Sequence, residues 1–141
     1  MTYRRPYAAA ALTCVLLSGT PGCSRNSSLP AATIRGISWT LVEVDGTTVD
    51  PAGTNRPATL LLDEDGRASG SAGCNQFGGP YTITDDEIRF GAIAMTRMAC
   101  PDRMDVETAY AAVFEAARTW RVRAGMLELM ADGRVLARFR R

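Results

Sequence analysis

Cys74 and Cys100 are the residues of this 141-residue chain whose type could do chemistry. If the chain is exported, oxidising surroundings favour a structural disulfide between them. As free thiols they would instead exchange with other disulfides, but they lack the Cys-x-x-Cys spacing that is typical of that role. The sequence therefore predicts a Cys74–Cys100 disulfide, with a thiol/disulfide redox protein as the alternative function.

Other catalytic chemistry has few residues to carry it. The chain has no histidine, so a general base would have to be a carboxylate or Arg97, and no two carboxylates are spaced as an acid/base pair. Two cysteines without histidine also leave a zinc site short of its usual ligands. We expect a protein that is not an enzyme and that has no metal or cofactor. An unrecognised enzyme that uses Cys74 and Cys100 is the alternative.

The N-terminal segment has the layout of an export signal. Arg4 and Arg5 precede a mostly apolar run over residues 7–17, which is too short to span a bilayer as a stable helix. The small residue before Cys23 and Ser24 after it are similar to a bacterial lipoprotein signal, in which the cysteine is lipidated. We predict a signal peptide over residues 1–22 and lipidation of Cys23. An ordinary cleaved signal, with Cys23 free, is the alternative.

The predicted anchor decides the location and the division of the chain. A lipidated Cys23 places the protein in the bacterial cell envelope, and Ser24 rather than Asp favours the periplasmic face of an outer membrane where the cell has one. The polar residues that follow have no hydrophobic period and predict a flexible tether over residues 23–36. Residues 37–141 then form one domain, long enough for a hydrophobic core.

The charge of the mature chain is nearly balanced. Once the signal and its two arginines are removed, fourteen arginines and no lysine stand against fifteen acidic residues. Such a balance does not favour a basic patch for nucleic acid. As partners we expect the membrane through the lipid anchor and an unidentified envelope protein, peptide or lipid, and no nucleic acid.

The domain has the pattern of short strands with one helix. Val106, Tyr110, Val113 and Trp120 recur at helical steps and predict an amphipathic helix over residues 102–119, with Asp102 or Asp105 as its cap. The strands end at turn-forming residues, and the last three alternate as a meander. A curled antiparallel sheet covered by one helix follows. The predicted strands lie at residues 39–44, 58–62, 67–73, 81–84, 88–90, 120–123, 126–129 and 135–139.

Motif residues spread along the domain resemble the META domain family, which includes the heat-inducible HslJ-type lipoproteins. The resemblance rests on two cysteine motifs, over residues 73–81 and 93–100, that occur together, with residues in the flanking strands and helix. It implies a small α+β domain: a curled antiparallel sheet or incomplete conical β-barrel with one α-helix. It also implies an envelope role in stress tolerance or antibiotic resistance without established catalysis. The motif residues are Trp39, Gly73, Cys74, Asn75, Phe77, Gly79, Tyr81, Thr96, Arg97, Cys100, Glu107 and Trp120.

We expect most of these motif residues to be structural. The glycines suit tight backbone positions, Asn75 suits a bond to backbone in the turn after Cys74, and the aromatic residues suit the core. Arg97 stands among apolar residues and needs a carboxylate or solvent, so we predict an ion pair with Glu107, with anion binding as the alternative. An apolar opening between helix and sheet would mark a binding domain, and Met95, Met98 and Met104 are candidates to line it.

Overall fold

The computed structural model describes residues 34–53 and 56–141. The predicted signal peptide over residues 1–22, Cys23 and most of the predicted tether lie outside the described residues. Ile34 is fully buried, and its carbonyl oxygen accepts a hydrogen bond from the Trp39 indole nitrogen at 2.9 Å. Residues 34–36 therefore pack as part of the domain, upstream of the predicted boundary at residue 37.

Within the described residues, ten strands form one antiparallel sheet that curls into a ring. The predicted curled sheet with one helix is therefore confirmed, and the hairpins form where turn residues separate alternating runs. Asp132 and Gly133, for example, both have a positive φ, which a two-residue turn requires. The strands are β1 (Ser38–Val44), β2 (Thr47–Thr48), β3 (Thr59–Leu62), β4 (Arg67–Ser71), β5 (Gln76–Thr84), β6 (Glu87–Phe90), β7 (Ala94–Met95), β8 (Thr119–Arg123), β9 (Met126–Ala131) and β10 (Arg134–Arg140).

The ring closes through two different kinds of contact. The strands follow the order β10-β9-β8-β6-β5-β4-β3-β1, and β1 pairs again with β10 along its length. The β6–β8 contact is narrow, because Glu87 opposite Thr119 is its one residue pair in register. Beyond that pair the two strands diverge, and β7 continues along β5 with no strand of the described residues on its other edge. The sheet therefore has an opening between β7 and β8.

Helix α1 (Met104–Ala116) packs across the ring, against β1, β6, β9 and β10. It buries Tyr110, Val113 and Phe114, and the Phe114 ring centroid lies 4.7 Å from that of Phe77 on β5. The helix is shorter than predicted, because Pro101–Arg103 forms a 3-10 turn before it and Ala117 leaves the helical conformation. The predicted aspartate cap is wrong, because Arg103 occupies the N-cap and makes no side-chain capping bond.

A row of alternating charges crosses the outside of the sheet from β1 to β8. Glu43, Arg138, Glu128 and Arg121 lie directly opposite one another on β1, β10, β9 and β8. Glu128 is 3% exposed, and Arg138 Nε donates to it at 2.9 Å. Burial by itself would raise the pKa of Glu128, but hydrogen bonds from Arg138 and Arg121 outweigh it and lower the pKa. These cross-strand pairs stabilise the continuous half of the ring.

Candidate functional site: a groove between helix and sheet

A groove separates the chain between β6 and β7 from helix α1, and we call it the helix groove. Phe90, Ile93 and Met95 line one side, Ala111 and Phe114 line the other, and the volume is about 400 Å³. Because the two helix residues lie one turn apart, they face the groove together. This is the apolar opening between helix and sheet that the sequence analysis named as the mark of a binding domain.

The groove continues into a second cleft toward the start of the helix, which we call the methionine cleft. Met98, Met104, Arg97 and Glu107 line it together with Met95, and its volume is about 440 Å³. Met98 and Met104 are 46% and 39% exposed, unusual exposures for large apolar side chains in the described residues. Unbranched methionines adapt to the shape of a partner, so this cleft suits an apolar ligand.

Glu107 fastens the helix to the first cysteine motif. The residue is 7% exposed, and one carboxylate oxygen accepts the Asn75 backbone N–H at 2.9 Å. The other oxygen accepts the Asn75 side-chain amide at 2.8 Å. A buried carboxylate requires such donors. Glu107 thus positions the start of α1, and with it Met104 at the wall of the methionine cleft.

Asn75 in turn fastens the second cysteine motif. Its side-chain oxygen accepts the Met98 N–H at 2.7 Å and the Thr96 hydroxyl at 2.8 Å, and its amide nitrogen donates to the Met98 carbonyl at 3.0 Å. The Thr96 hydroxyl also accepts the Gln76 N–H at 3.1 Å. The expected backbone bonds of Asn75 therefore reach across to residue 98 rather than closing a local turn.

The predicted ion pair between Arg97 and Glu107 is not formed. Both Glu107 oxygens are occupied by Asn75, and no salt bridge of the described residues contains Arg97. The Arg97 side chain is exposed at the rim of the methionine cleft. Solvent stabilises the charge of the Arg97 guanidinium there, so this group is available to bind an anionic group.

The disulfide between Cys74 and Cys100 is present, with their Cα atoms 6.0 Å apart. It joins the residue before Asn75 to the residue before the 3-10 turn, and it therefore ties the two cysteine motifs together beside the Asn75 network. Cys74 is 1% exposed, whereas Cys100 is half-buried at a separate small cleft. The thiolate of another molecule would reach this disulfide from the Cys100 side, because Cys100 is the more exposed of the two residues.

Gly79 sets the floor of the helix groove. A Cβ atom at this position would lie 2.5 Å from the Ala92 carbonyl oxygen and 2.7 Å from the Ile93 side chain. Because real Cβ atoms do not approach so closely, only glycine lets the 91–93 segment lie against β5. Gly73, with a φ of 101°, occupies the bend just before Cys74.

The four aromatic motif residues lie in the core. Phe77 contacts the helix beneath the groove, and Trp39 is fully buried in β1. The Tyr81 hydroxyl accepts from Arg35 Nε at 2.9 Å, while burial raises the pKa of Tyr81 and Arg35 partly opposes that shift. The Trp120 indole N–H donates to the Asp85 carbonyl oxygen at 3.1 Å, and this hydrogen bond stabilises the narrow β6–β8 contact. These side chains build the scaffold of the groove rather than its surface.

Phe90, Ile93, Ala111 and Phe114 were not singled out from the sequence. Each is an ordinary apolar residue, and their proximity depends on how β7 and α1 meet, which no local pattern records. Glu107 gave a usable signal, because it lies three residues before Tyr110 and therefore on the buried face of the helix. A carboxylate on that face indicates a specific internal partner.

Within residues 34–53 and 56–141, no group of three or more histidine, cysteine or acidic residues is arranged to hold a metal ion. Nor does any helix in these ranges combine the length and apolar character that crossing a bilayer would need.

The sequence matches a known protein family, and the fold is similar to known structures. Residues 32–141 match the META domain. An NMR structure of a protein from Burkholderia xenovorans is 30% identical, with a TM-score of 0.61 over 91% of this chain and 98% of that chain. Another NMR structure is 24% identical, with a TM-score of 0.61 over 77% of this chain and 92% of that chain. No curated protein matches the sequence.

Proposed function

Because this chain belongs to the META domain family, we propose that it is a non-enzymatic binding domain of an exported envelope lipoprotein. The helix groove and the methionine cleft receive an apolar part of a lipid, peptide or protein partner. The observation that carries the proposal is the groove itself, an open apolar space of about 400 Å³ between Phe114 on the helix and the 90–95 segment. Ligand sites are typically concave and mainly apolar, with a few polar groups.

The polar groups around the groove suit binding better than catalysis. Glu107 is buried and both of its carboxylate oxygens accept hydrogen bonds from Asn75, so its role beside the groove is structural. Arg97 and Glu115 are exposed and unlike a general acid/base pair, since each is a rim residue of a different cleft. The groove therefore offers apolar contact and charge recognition.

The anchor and the physiological role are the second part of the proposal. Lipidation of Cys23 holds the domain at the membrane, where its partner is an envelope component. Binding there contributes to tolerance of heat or of antibiotics that act on the envelope. An anchored binding domain gains effective concentration for a partner in the same compartment, so even a modest affinity suffices.

The experiment compares a groove-filling variant with its neighbour on the helix. A deletion strain receives wild type, Ala111→Trp, which fills the helix groove, or Ala112→Trp, which places the same bulk at a separate cleft of about 140 Å³ on the other side of the helix, lined also by Leu136. Survival of heat and antibiotic challenge is measured at matched protein levels, confirmed by immunoblot. Wild type and Ala112→Trp should restore tolerance and Ala111→Trp should not. Equal rescue by both variants would reject groove binding.

Localisation is tested separately. Wild type should fractionate with membranes, and Cys23→Ala should be released from them or remain as the uncleaved precursor. Recovery of wild type in the soluble fraction would reject the lipid anchor while leaving the groove proposal intact.

A further inference from the structure

We propose that the open edge of β7 is a docking strand for an extended peptide segment of a partner protein. The segment adds antiparallel to β7 and carries an apolar side chain that enters the helix groove. A carboxylate two residues before it pairs with Arg97. The inference rests on the proposed binding function and commits that site to one class of partner.

The hydrogen bonds of β7 show which backbone groups are free. The Thr96 N–H donates to the Gln76 carbonyl at 3.0 Å, so Thr96 directs its backbone groups toward β5. In an antiparallel pair, alternate residues direct their N–H and C=O groups toward and away from the partner strand. Ala94 therefore shares the direction of Thr96, and Met95 between them directs its N–H and C=O to the other edge.

Asn75 extends the same alternation beyond β7. Its side-chain amide occupies both the N–H and the carbonyl of Met98 and thus acts as one more rung of the β5 ladder. As a result, residues 94, 96 and 98 all direct their backbone N–H and C=O groups toward β5. Met95 and Arg97 direct theirs to the opposite edge. No other strand of the described residues pairs with β7. The outer edge presents two N–H and two C=O groups at strand spacing.

The side chains beside this edge specify the peptide. Met95 lies opposite Phe77, whose side chain is in the core, so a peptide residue added opposite Met95 also points inward. There it meets Phe114 and the helix groove, which require an apolar residue. The peptide residue opposite Arg97 meets an exposed guanidinium with no carboxylate partner among the described residues, which favours Glu or Asp.

The backbone edge also decides between a peptide and an acyl chain. An occupant that covers Met95 and Arg97 removes water from their four backbone groups. An acyl chain offers these groups no hydrogen bond, and a buried donor or acceptor without a partner loses its hydration with no compensation. A peptide strand satisfies them and still fills the apolar space, as in other cases of strand addition to a sheet edge.

The test uses the blocked peptide Ac-Thr-Glu-Thr-Val-Thr-NH2 on the full-length protein. In antiparallel register its Val lies opposite Met95 and its Glu opposite Arg97, and both N–H groups face β7. Methylation of those two backbone nitrogens should weaken binding at least tenfold. Methylation of the central Thr nitrogen, which faces solvent, should leave the affinity within twofold. Equal affinities of the two methylated peptides would overturn strand addition.

A second measurement does not depend on mutation and carries its own control. Amide hydrogen exchange by NMR should show that the Met95 and Arg97 amides gain protection with the peptide, whereas the Thr96 amide, already bonded to β5, does not change. Unchanged exchange at Met95 in the saturated complex would overturn the proposal.

Arg97→Glu should weaken binding, and exchanging the peptide's Glu for Lys should restore it in that variant.

Lauric acid, as an acyl probe, separates failure of this inference from failure of the proposed function. If lauric acid shifts the Ile93 and Phe114 resonances and is excluded by Ala111→Trp, while no peptide binds, strand addition is wrong and the groove still binds a ligand. If neither probe perturbs the groove, both proposals fail. Peptide binding with the alternating protection pattern supports both.

Discussion

Removing the Glu107 carboxylate should destabilise the domain strongly, because Glu107 joins the helix to Asn75, which in turn holds the second cysteine motif. Glu107 is 7% exposed, and its carboxylate accepts two hydrogen bonds from Asn75. A hydrogen bond to a charged group contributes about 1.5–3 kcal/mol, and a buried N–H left without a partner adds a further penalty. We therefore expect Glu107→Ala to lower the free energy of unfolding by about 3–5 kcal/mol. Glu107→Gln retains one acceptor and should cost about 2–3 kcal/mol.

Urea unfolding followed by tryptophan fluorescence measures these losses. For an m value of ~2 kcal/mol/M, a loss of ~4 kcal/mol lowers the urea midpoint by about 2 M. Glu115→Ala, an exposed carboxylate on the same helix, is the matched control and should stay within about 0.5 kcal/mol of wild type.

A double-mutant cycle with Asn75 tests whether the two residues act together. Asn75→Ala and Glu107→Ala share the bond between their side chains, so the double mutant should be more stable than the sum of the single losses predicts, by about 1.5–3 kcal/mol. Additive losses would refute the coupling. A loss below about 1 kcal/mol for Glu107→Ala would refute the structural role itself.

Three further changes probe other parts of the domain. Replacing both Cys74 and Cys100 by alanine should cost about 3.5 kcal/mol in urea unfolding, because the chain-entropy model assigns this to a loop closed across 26 residues; unchanged stability with lost tolerance would instead favour the redox alternative. Glu128 has a lowered folded pKa, so its contribution is complete above its ordinary value of 4.5 and is lost as pH falls through the folded pKa. Glu128→Gln should therefore lose less stability than wild type between neutral pH and about pH 3, and parallel pH profiles would contradict this. Gly79→Ala should lower the thermal midpoint of unfolding and shift the NMR resonances of the 91–93 segment. Gly78→Ala should do neither, because its Cβ would lie 3.7 Å from the nearest atom. Equal effects of the two variants would show that close packing at Gly79 is unimportant.

The main strands and their hairpins were predictable because they rest on local signals. The alternation of apolar residues and the Asp-Gly turn at Asp132 are short-range features that a single sequence records. β7 was not predicted, since it has two residues and its pairing depends on Gly79 and Asn75, which are distant in sequence. The helix was predicted past its end because Trp120, although it continues the helical spacing, lies in β8 and pairs with β9 instead.

The candidate site was predictable only in part. The sequence indicated a disulfide and a binding domain with methionines at an apolar opening. It could not indicate that Glu107 would bond Asn75 rather than Arg97, because an amide competes with a guanidinium only through geometry. Burial then decided the outcome, since both Glu107 oxygens needed fixed donors whereas Arg97 could remain in water.

Site-specific photo-crosslinking in living cells tests the central claim most directly. Benzoylphenylalanine at Ile93 faces the helix groove, and the same group at Thr82 is exposed on β5 outside it. The account predicts a discrete adduct at Ile93 that is absent at Thr82, disappears with Ala111→Trp and persists with Ala112→Trp. The same adducts at both positions, or an Ile93 adduct unaffected by Ala111→Trp, would contradict a partner bound in the groove.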